Sequence, residues 1–153
     1  MIITFCGHST YSPTREDEDW MLLLFEGVSR IQPITFYIGG YGNFDEFAKR
    51  CAQKYKATHP GTKVCFISPY LGKWLEDRKE YLQREYDEIL YPEIENVPPK
   101  FAISKRNEWM VDQADYVIAY VKTHYGGAYN TLLYAHKHKK PYTNIYVGNY
   151  KLY

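Results

Sequence analysis

The sequence is short of cysteine: three residues, Cys6, Cys51 and Cys65, scattered and without a C-x-x-C pair. A disulfide framework and a zinc site built on paired thiolates are therefore both unsupported, and neither a metal ion nor a cofactor is expected. Cys6 and Cys65 lie within apolar runs and read as small core residues. An excess of one charge is lacking as well, since 19 Lys and Arg offset 18 Asp and Glu for a formal net charge of +1. Nucleic-acid binders usually show a clustered basic surface, so this balance sets the expectation of no nucleic-acid partner. The one basic cluster, His136 to Lys140, reads as the charged last turn of a helix. No apolar run approaches the roughly 18 residues of a membrane span, so no membrane partner is expected. Met1 leads into strand-like sequence without a basic leader region, which sets a cytoplasmic expectation. Repeats, low-complexity tracts and linkers are missing too, and 153 residues suit one domain over 1–153.

What is abundant is aromatic: 17 Tyr, 7 Phe and 3 Trp. Tyr37, Tyr41, Tyr125 and Tyr129 cluster beside glycine turns, where a ring can stack on a base or simply fill a strand rim. The stretch Pro33 to Cys51 joins an apolar run (Ile34, Phe36, Ile38) to Gly39, Gly40 and Gly42, and then to a helical stripe of Phe44, Phe47, Ala48 and Cys51. Asn43 is the candidate helix cap. A strand feeding a helix through glycines leaves backbone N–H groups and a positive dipole end at the turn, which suits phosphate.

Along the chain, Ile2 to Cys6 predicts a first strand ending at Gly7-His8-Ser9-Thr10, and Trp20, Leu23, Leu24 and Val28 recur at helical spacing. Val64 to Ile67 predicts a third strand, Gly72 to Glu88 a solvated helix, and Ile89 to Tyr91 a fourth strand. Ala102 to Ala114 predicts a helix, and Tyr116 to Val121 a strand buried on both faces. Tyr125-Gly126-Gly127-Ala128-Tyr129-Asn130-Thr131 opens a last helix, and Tyr142 to Val147 predicts a sixth strand. This alternation predicts an α/β fold: a Rossmann-like, doubly wound, mostly parallel sheet with helices on both faces. Three polar turns would then converge at the strand C-termini, where such sheets bind ligands.

Several of these motifs resemble those of one family. T-F-C-G-H-S at Thr4 to Ser9 is similar to the F-C-G-S-S start of the LOG ("lonely guy") cytokinin riboside 5′-monophosphate phosphoribohydrolases. Y-I-G-G at Tyr37 to Gly40 resembles their Y-G-G-G turn, and V-C-F-I-S-P-Y-L at Val64 to Leu71 their V-I-G-V-I-P segment. S-K-R-N-E-W-M-V-D-Q-A-D at Ser104 to Asp115 resembles their E-R-K-x-x-M stretch, and Y-G-G-A-Y-N-T their P-G-G-x-G-T. The resemblance covers nearly the whole chain and points to the SLOG superfamily, which joins these enzymes to nucleotide-derivative sensors and to phage and bacterial proteins.

That resemblance implies a site for a nucleotide-derived small molecule. Gly7, His8 and Ser9 would border the ligand, Gly39 and Gly40 would admit it, and Tyr41 and Asn43 would touch sugar or base. Gly126, Gly127, Ala128, Asn130 and Thr131 would hold phosphate, and Arg106 would engage it through a bidentate fork. Arg106 also reads as an exposed helix charge beside Glu108 or Asp112. The family's catalytic glutamate, three residues after the threonine, is replaced here: Thr131 is followed by Leu132, Leu133 and Tyr134. The expected function is accordingly binding of an ADP-ribose, cyclic ADP-ribose or nucleoside monophosphate ligand by a sensor or sequestering module. The alternative is a nucleoside 5′-monophosphate N-glycosidase with a relocated acid. Asp45 or Glu46, Glu108 and His8 are its candidate catalytic groups, although acidic residues in a helix's first turn, as Asp45 and Glu46 are, are also favoured by the dipole alone. The resemblance further implies a homodimer or higher oligomer, with Trp20, Trp74 and Trp109 as anchors or as core.

Overall fold

A computed structural model describes residues 1–29 and 33–153. Six strands form one sheet in the order β4-β3-β2-β1-β5-β6, and every adjacent pair is parallel. They are β1 (Ile2–Gly7), β2 (Thr35–Ile38), β3 (Lys63–Ile67), β4 (Glu88–Leu90), β5 (Tyr116–Tyr120) and β6 (Tyr142–Asn144). The helices are α1 (Arg15–Val28), α2 (Asn43–Thr58), α3 (Lys73–Glu76), α4 (Lys79–Glu85), α5 (Ala102–Gln113) and α6 (Gly127–Lys137), with a 3-10 turn at Pro99–Phe101. This is the doubly wound α/β architecture expected from the alternation of strand and helix patterns.

Alternation along the strands divides the core into two layers. Ile3 and Phe5 of β1 join Phe36 and Ile38 of β2 and Ile118 of β5 in a layer with Met21 and Phe25 of α1 and Phe44, Phe47 and Cys51 of α2. Cys6, Val117 and Ala119 point the other way, toward Val111 and Ala114 at the end of α5 and Leu132 and Ala135 of α6. Phe25, Phe36 and Phe44 are each fully buried, and truncating one to alanine is expected to cost roughly 3–5 kcal/mol.

The order of strands places the functional edge. From β1 the chain moves outward through β2, β3 and β4, then returns to lay β5 on the opposite side of β1. The winding reverses between β1 and β5, so the loops that leave these neighbours diverge and a crevice opens between them. Gly7 pairs in register with Tyr120, so both strands end at the same level.

Four local expectations are corrected. Helix α1 begins at Arg15, earlier than the apolar spacing showed, because Thr14 and Asp17 form a reciprocal capping box. Its buried residues are Met21 and Phe25, while Trp20 and Leu23 are 63% and 69% exposed; the apolar stripe is wide enough to be read in the wrong phase. The single helix expected over Gly72 to Glu88 is two short ones, α3 and α4, of which only Leu82 is fully buried. Strand β6 stops at Asn144, whose side chain turns back to bind both backbone groups of Val121.

Candidate functional site

A cleft of about 420 Å³ lies over the β1/β5 reversal. Its walls are the β1–α1 loop (Gly7, His8, Ser9, Thr10), the β5–α6 loop (Lys122, Thr123, Tyr125, Gly126) and the first turns of α6. Tyr41 and Asp45 close it from the β2–α2 side, and Ile103, Arg106 and Asn107 of α5 also line it.

Helix α6 presents its N-terminus to this space. Gly126 takes φ 92°, a left-handed conformation natural to glycine, and no side chain caps the helix. The first i→i−4 bond is from the Asn130 N–H to the Gly126 carbonyl, so the N–H groups of Gly127, Ala128 and Tyr129 have no partner within the helix. No acidic residue stands in this first turn. Helix α2 differs: it starts at Gly42 (φ 88°) rather than being capped by Asn43, and its first turn carries Asp45 and Glu46. An anion is therefore favoured at α6 and opposed at α2.

Arg106 is a buried charge, only 2% exposed, as is Lys49 outside the cleft. Its Nη1 donates to the Gly39 carbonyl at 2.9 Å and the Ile67 carbonyl at 2.8 Å, and its Nε donates to Asn107 Oδ1 at 2.9 Å. These bonds tie α5 to the C-terminal ends of β2 and β3. A Cβ on Gly39 would stand 2.9 Å from the guanidinium carbon, so this glycine serves the close approach of Arg106 and not of a ligand. Nη2 makes no hydrogen bond to the described residues, and the Arg106 side chain lines the cleft. Burial lowers its pKa, and the nearby Asp45 opposes that shift.

Asp45 accepts a hydrogen bond from the Tyr41 N–H at Oδ2, 2.9 Å away, and makes no ion pair with Arg106. Protein encloses its carboxyl on most sides, and the resulting desolvation pushes the pKa up to about 6 against the opposing pull of the Tyr41 N–H and Arg106. His8 is also held by the fold: its Nε2 accepts the Lys122 N–H at 2.9 Å, which puts the ring proton on Nδ1. Desolvation and then the Lys122 charge lower its pKa, so His8 is neutral near pH 7 and joins the two loops of the cleft.

The fold therefore brings together Gly7, His8, Ser9, Tyr41, Arg106, Gly126, Gly127, Ala128 and Thr131. Thr131 directs its hydroxyl proton to the Gly127 carbonyl at 2.9 Å, within its own helix. The remaining candidates stand elsewhere. Gly39 is buried under Arg106, and Gly40 (φ 69°) faces the Phe66 ring. Asn43 and Glu46 line a separate hollow beside Tyr11 and Arg50. Asn130 is exposed outside the cleft walls. Glu46 pairs with Lys49 at 3.0 Å and Glu108 with Lys105 at 3.1 Å, both away from the cleft. Lys122 and Asn107 were not singled out in the sequence; the position of Lys122, directly after the most apolar strand, is the signal that marks it. The reading of Arg106 as an exposed helix charge is corrected, because its guanidinium is needed to satisfy strand-end carbonyls. Of the tryptophans, Trp109 stacks on Tyr37 and Trp74 packs against Phe66 and Tyr70, while Trp20 is exposed.

No protein-family model and no curated protein sequence matches the chain. Solved structures do. A chain of DNA processing protein A from Helicobacter pylori, described for its unique single-stranded DNA binding mode, superposes with a TM-score of 0.61 at 20% identity, over 93% of this chain and 63% of that one. The fold matches that of DNA processing protein A. The Streptococcus pneumoniae protein of that name gives the same TM-score, 0.61, at 15% identity, over 92% of this chain and 48% of its own. The chain thus spans about half to two thirds of the length of these DNA processing protein A chains.

This comparison corrects two expectations. A nucleotide-derived signal as ligand, with N-glycosidase activity as the alternative, finds no counterpart in these neighbours, one of which is described by its single-stranded DNA binding. The exclusion of nucleic acid is overturned for the same reason. It rested on net charge, a sum over the chain that omits the backbone N–H donors of a helix N-terminus. Among the described residues, no helix is long and apolar enough to cross a membrane.

Proposed function

We propose that the cleft binds single-stranded DNA, holding a backbone phosphate at the N-terminus of α6 while unstacked bases lie against tyrosine rings. The observation that carries this reading is the pairing of an uncapped helix N-terminus with a buried arginine that lines the same cleft and whose Nη2 has no partner among the described residues. A helix N-terminus alone is a common feature. A buried cation with an unused donor beside it supplies a second, independent demand for an acceptor-rich ligand.

The surroundings suit a strand better than a compact molecule. Tyr41 and Tyr125 are 66% and 75% exposed and come from two different loops of the cleft. Large exposed rings beside a phosphate site are the stacking platforms that non-duplex nucleic acid uses, each contributing about 1–3 kcal/mol per base. Lys122 adds a cation on the α6 side, and its backbone is fixed by His8. A duplex hides its base faces and would leave both rings idle. The shared fold of DNA processing protein A supports the same choice, and with it a kinship at the level of the SLOG superfamily rather than with the LOG enzymes.

The test is fluorescence anisotropy with a labelled single-stranded oligodeoxynucleotide, the same strand annealed to its complement, and an RNA of equal sequence. The single DNA strand is expected to bind most tightly. Tyr125→Ala is expected to weaken binding by roughly fivefold to a hundredfold, the range set by losing one stacked base. Equal affinity for the duplex, a preference for RNA, or no binding of the single strand would overturn the proposal.

A further inference from the structure

Asp45 is the only acidic side chain lining the cleft among the described residues, and a carboxylate is a poor neighbour for a phosphate chain. Its position is nevertheless built. Oδ2 is anchored by the Tyr41 N–H at 2.9 Å, and the residue belongs to the first turn of α2, whose start is fixed by the Asn43 N–H bond to the Ser9 carbonyl at 3.0 Å. Oδ1 accepts no hydrogen bond from the described residues. Arg106 Nη2 donates none, and the two side chains make no ion pair with each other. The β2 side of the cleft therefore offers one free acceptor and one free donor, both charged and both held by bonds to other partners. The phosphate-favouring groups, the α6 N-terminus and Lys122, lie on the opposite wall.

Asp45 and Arg106 line one cleft and feel each other's charge without ion-pair contact, and an acceptor and a donor sharing one wall can complement a nucleobase edge, where a ring or exocyclic N–H stands next to a carbonyl oxygen or ring nitrogen. We infer that Asp45 is a specificity-determining residue of the cleft: its free carboxylate oxygen takes an N–H of an unstacked base, while Arg106 Nη2 donates to the acceptor next to it. This inference rests on the single-strand reading above. It orients the strand, with phosphate toward α6 and one base turned toward α2, and it makes binding depend on the base and not on the backbone alone. A base whose edge N–H is blocked leaves a desolvated carboxylate without a partner, which is where discrimination arises.

Three strands of equal length and label separate these outcomes: oligo(dT), the same strand with N3-methylthymine, and an abasic strand. The wild-type protein is expected to bind oligo(dT) roughly tenfold to a hundredfold more tightly than the N3-methyl strand, the range for a hydrogen bond to a charged group. Asp45→Asn keeps an acceptor for the Tyr41 N–H and is expected to shrink that ratio. Lys122→Ala is expected to weaken binding of both strands while preserving the ratio. Equal affinity of the wild type for oligo(dT) and the N3-methyl strand overturns the role of Asp45 while leaving single-strand binding intact. So does a ratio that persists undiminished in Asp45→Asn. Failure of all three strands to bind overturns both readings together.

Discussion

Burial of Asp45 raises its pKa to about 6, so the folded protein holds this proton more tightly than the unfolded chain does. The stabilising contribution is therefore fully present below the ordinary carboxylate pKa and is lost as pH rises through about 6. At neutral pH the ionised carboxylate costs up to about 3 kcal/mol, since each pKa unit corresponds to about 1.4 kcal/mol. Urea unfolding near pH 4.5 and pH 7.5 should show this loss in the wild type and a smaller one in Asp45→Asn; parallel profiles would refute it. Arg106 acts in the opposite sense. Its two bonds to the Gly39 and Ile67 carbonyls satisfy buried acceptors at the ends of β2 and β3. Arg106→Met should therefore destabilise by about 3 kcal/mol, measured as a lower urea midpoint at unchanged slope, because two carbonyls lose their donor.

The elements that shape the cleft are helix starts, and two of them use glycine for different reasons. Gly126 has φ 92° with open space where a Cβ would be, so Gly126→Ala should cost only the backbone strain, on the order of 1–2 kcal/mol, with the cleft retained. Gly42 has φ 88°, and a Cβ there would stand 2.6 Å from the Ser9 Cα. Gly42→Ala should cost more than Gly126→Ala in thermal unfolding, because the β1–α1 loop must move as well. Similar losses for the two would show that the contact with Ser9 is easily relieved. At α1 the reciprocal bonds of Thr14 and Asp17 close the helix start. Thr14→Ala should cost about 1 kcal/mol with no effect on the cleft, which Thr14 does not line.

At the scale of the whole molecule, a net charge of +1 limits how strongly any polyanion is drawn in. Binding through one helix N-terminus and Lys122 neutralises only one or two phosphates, so log affinity against log salt should fall with a slope of about −1. A slope several times steeper would reveal a broad basic surface in place of a local site. Bracing of the β5–α6 loop is also global. Asn144 of β6 binds Val121, the Tyr150 hydroxyl binds the Thr123 carbonyl, and His124 stacks on Tyr150, so the last ten residues hold the segment that carries Lys122. The sheet was legible in the sequence because buried parallel strands are continuous apolar runs bounded by glycine turns. The short helices α3 and α4 and the buried phase of α1 were not, since amphipathic spacing there is weak or wide. Half of the site was legible for the same local reason: Gly7 to Ser9 and Gly126 to Ala128 follow strand ends and must lie at the sheet's C-terminal edge. Lys122 and the true role of Gly39 were not, because each depends on a neighbour distant in the chain, His8 and Arg106 respectively.

What the sequence by itself determined is the alternation of elements and the edge on which their polar turns collect, because both follow from local periodicity and from where glycine interrupts it. Tertiary structure decided which turns meet. The chain's return from β4 to the far side of β1 set the β1 and β5 loops around one crevice, buried Arg106 against carbonyls 67 and 39 residues away in sequence, and left Asp45 lining the same cleft with one oxygen unused. Those are consequences of strand order and long-range hydrogen bonding, which no window along the chain contains.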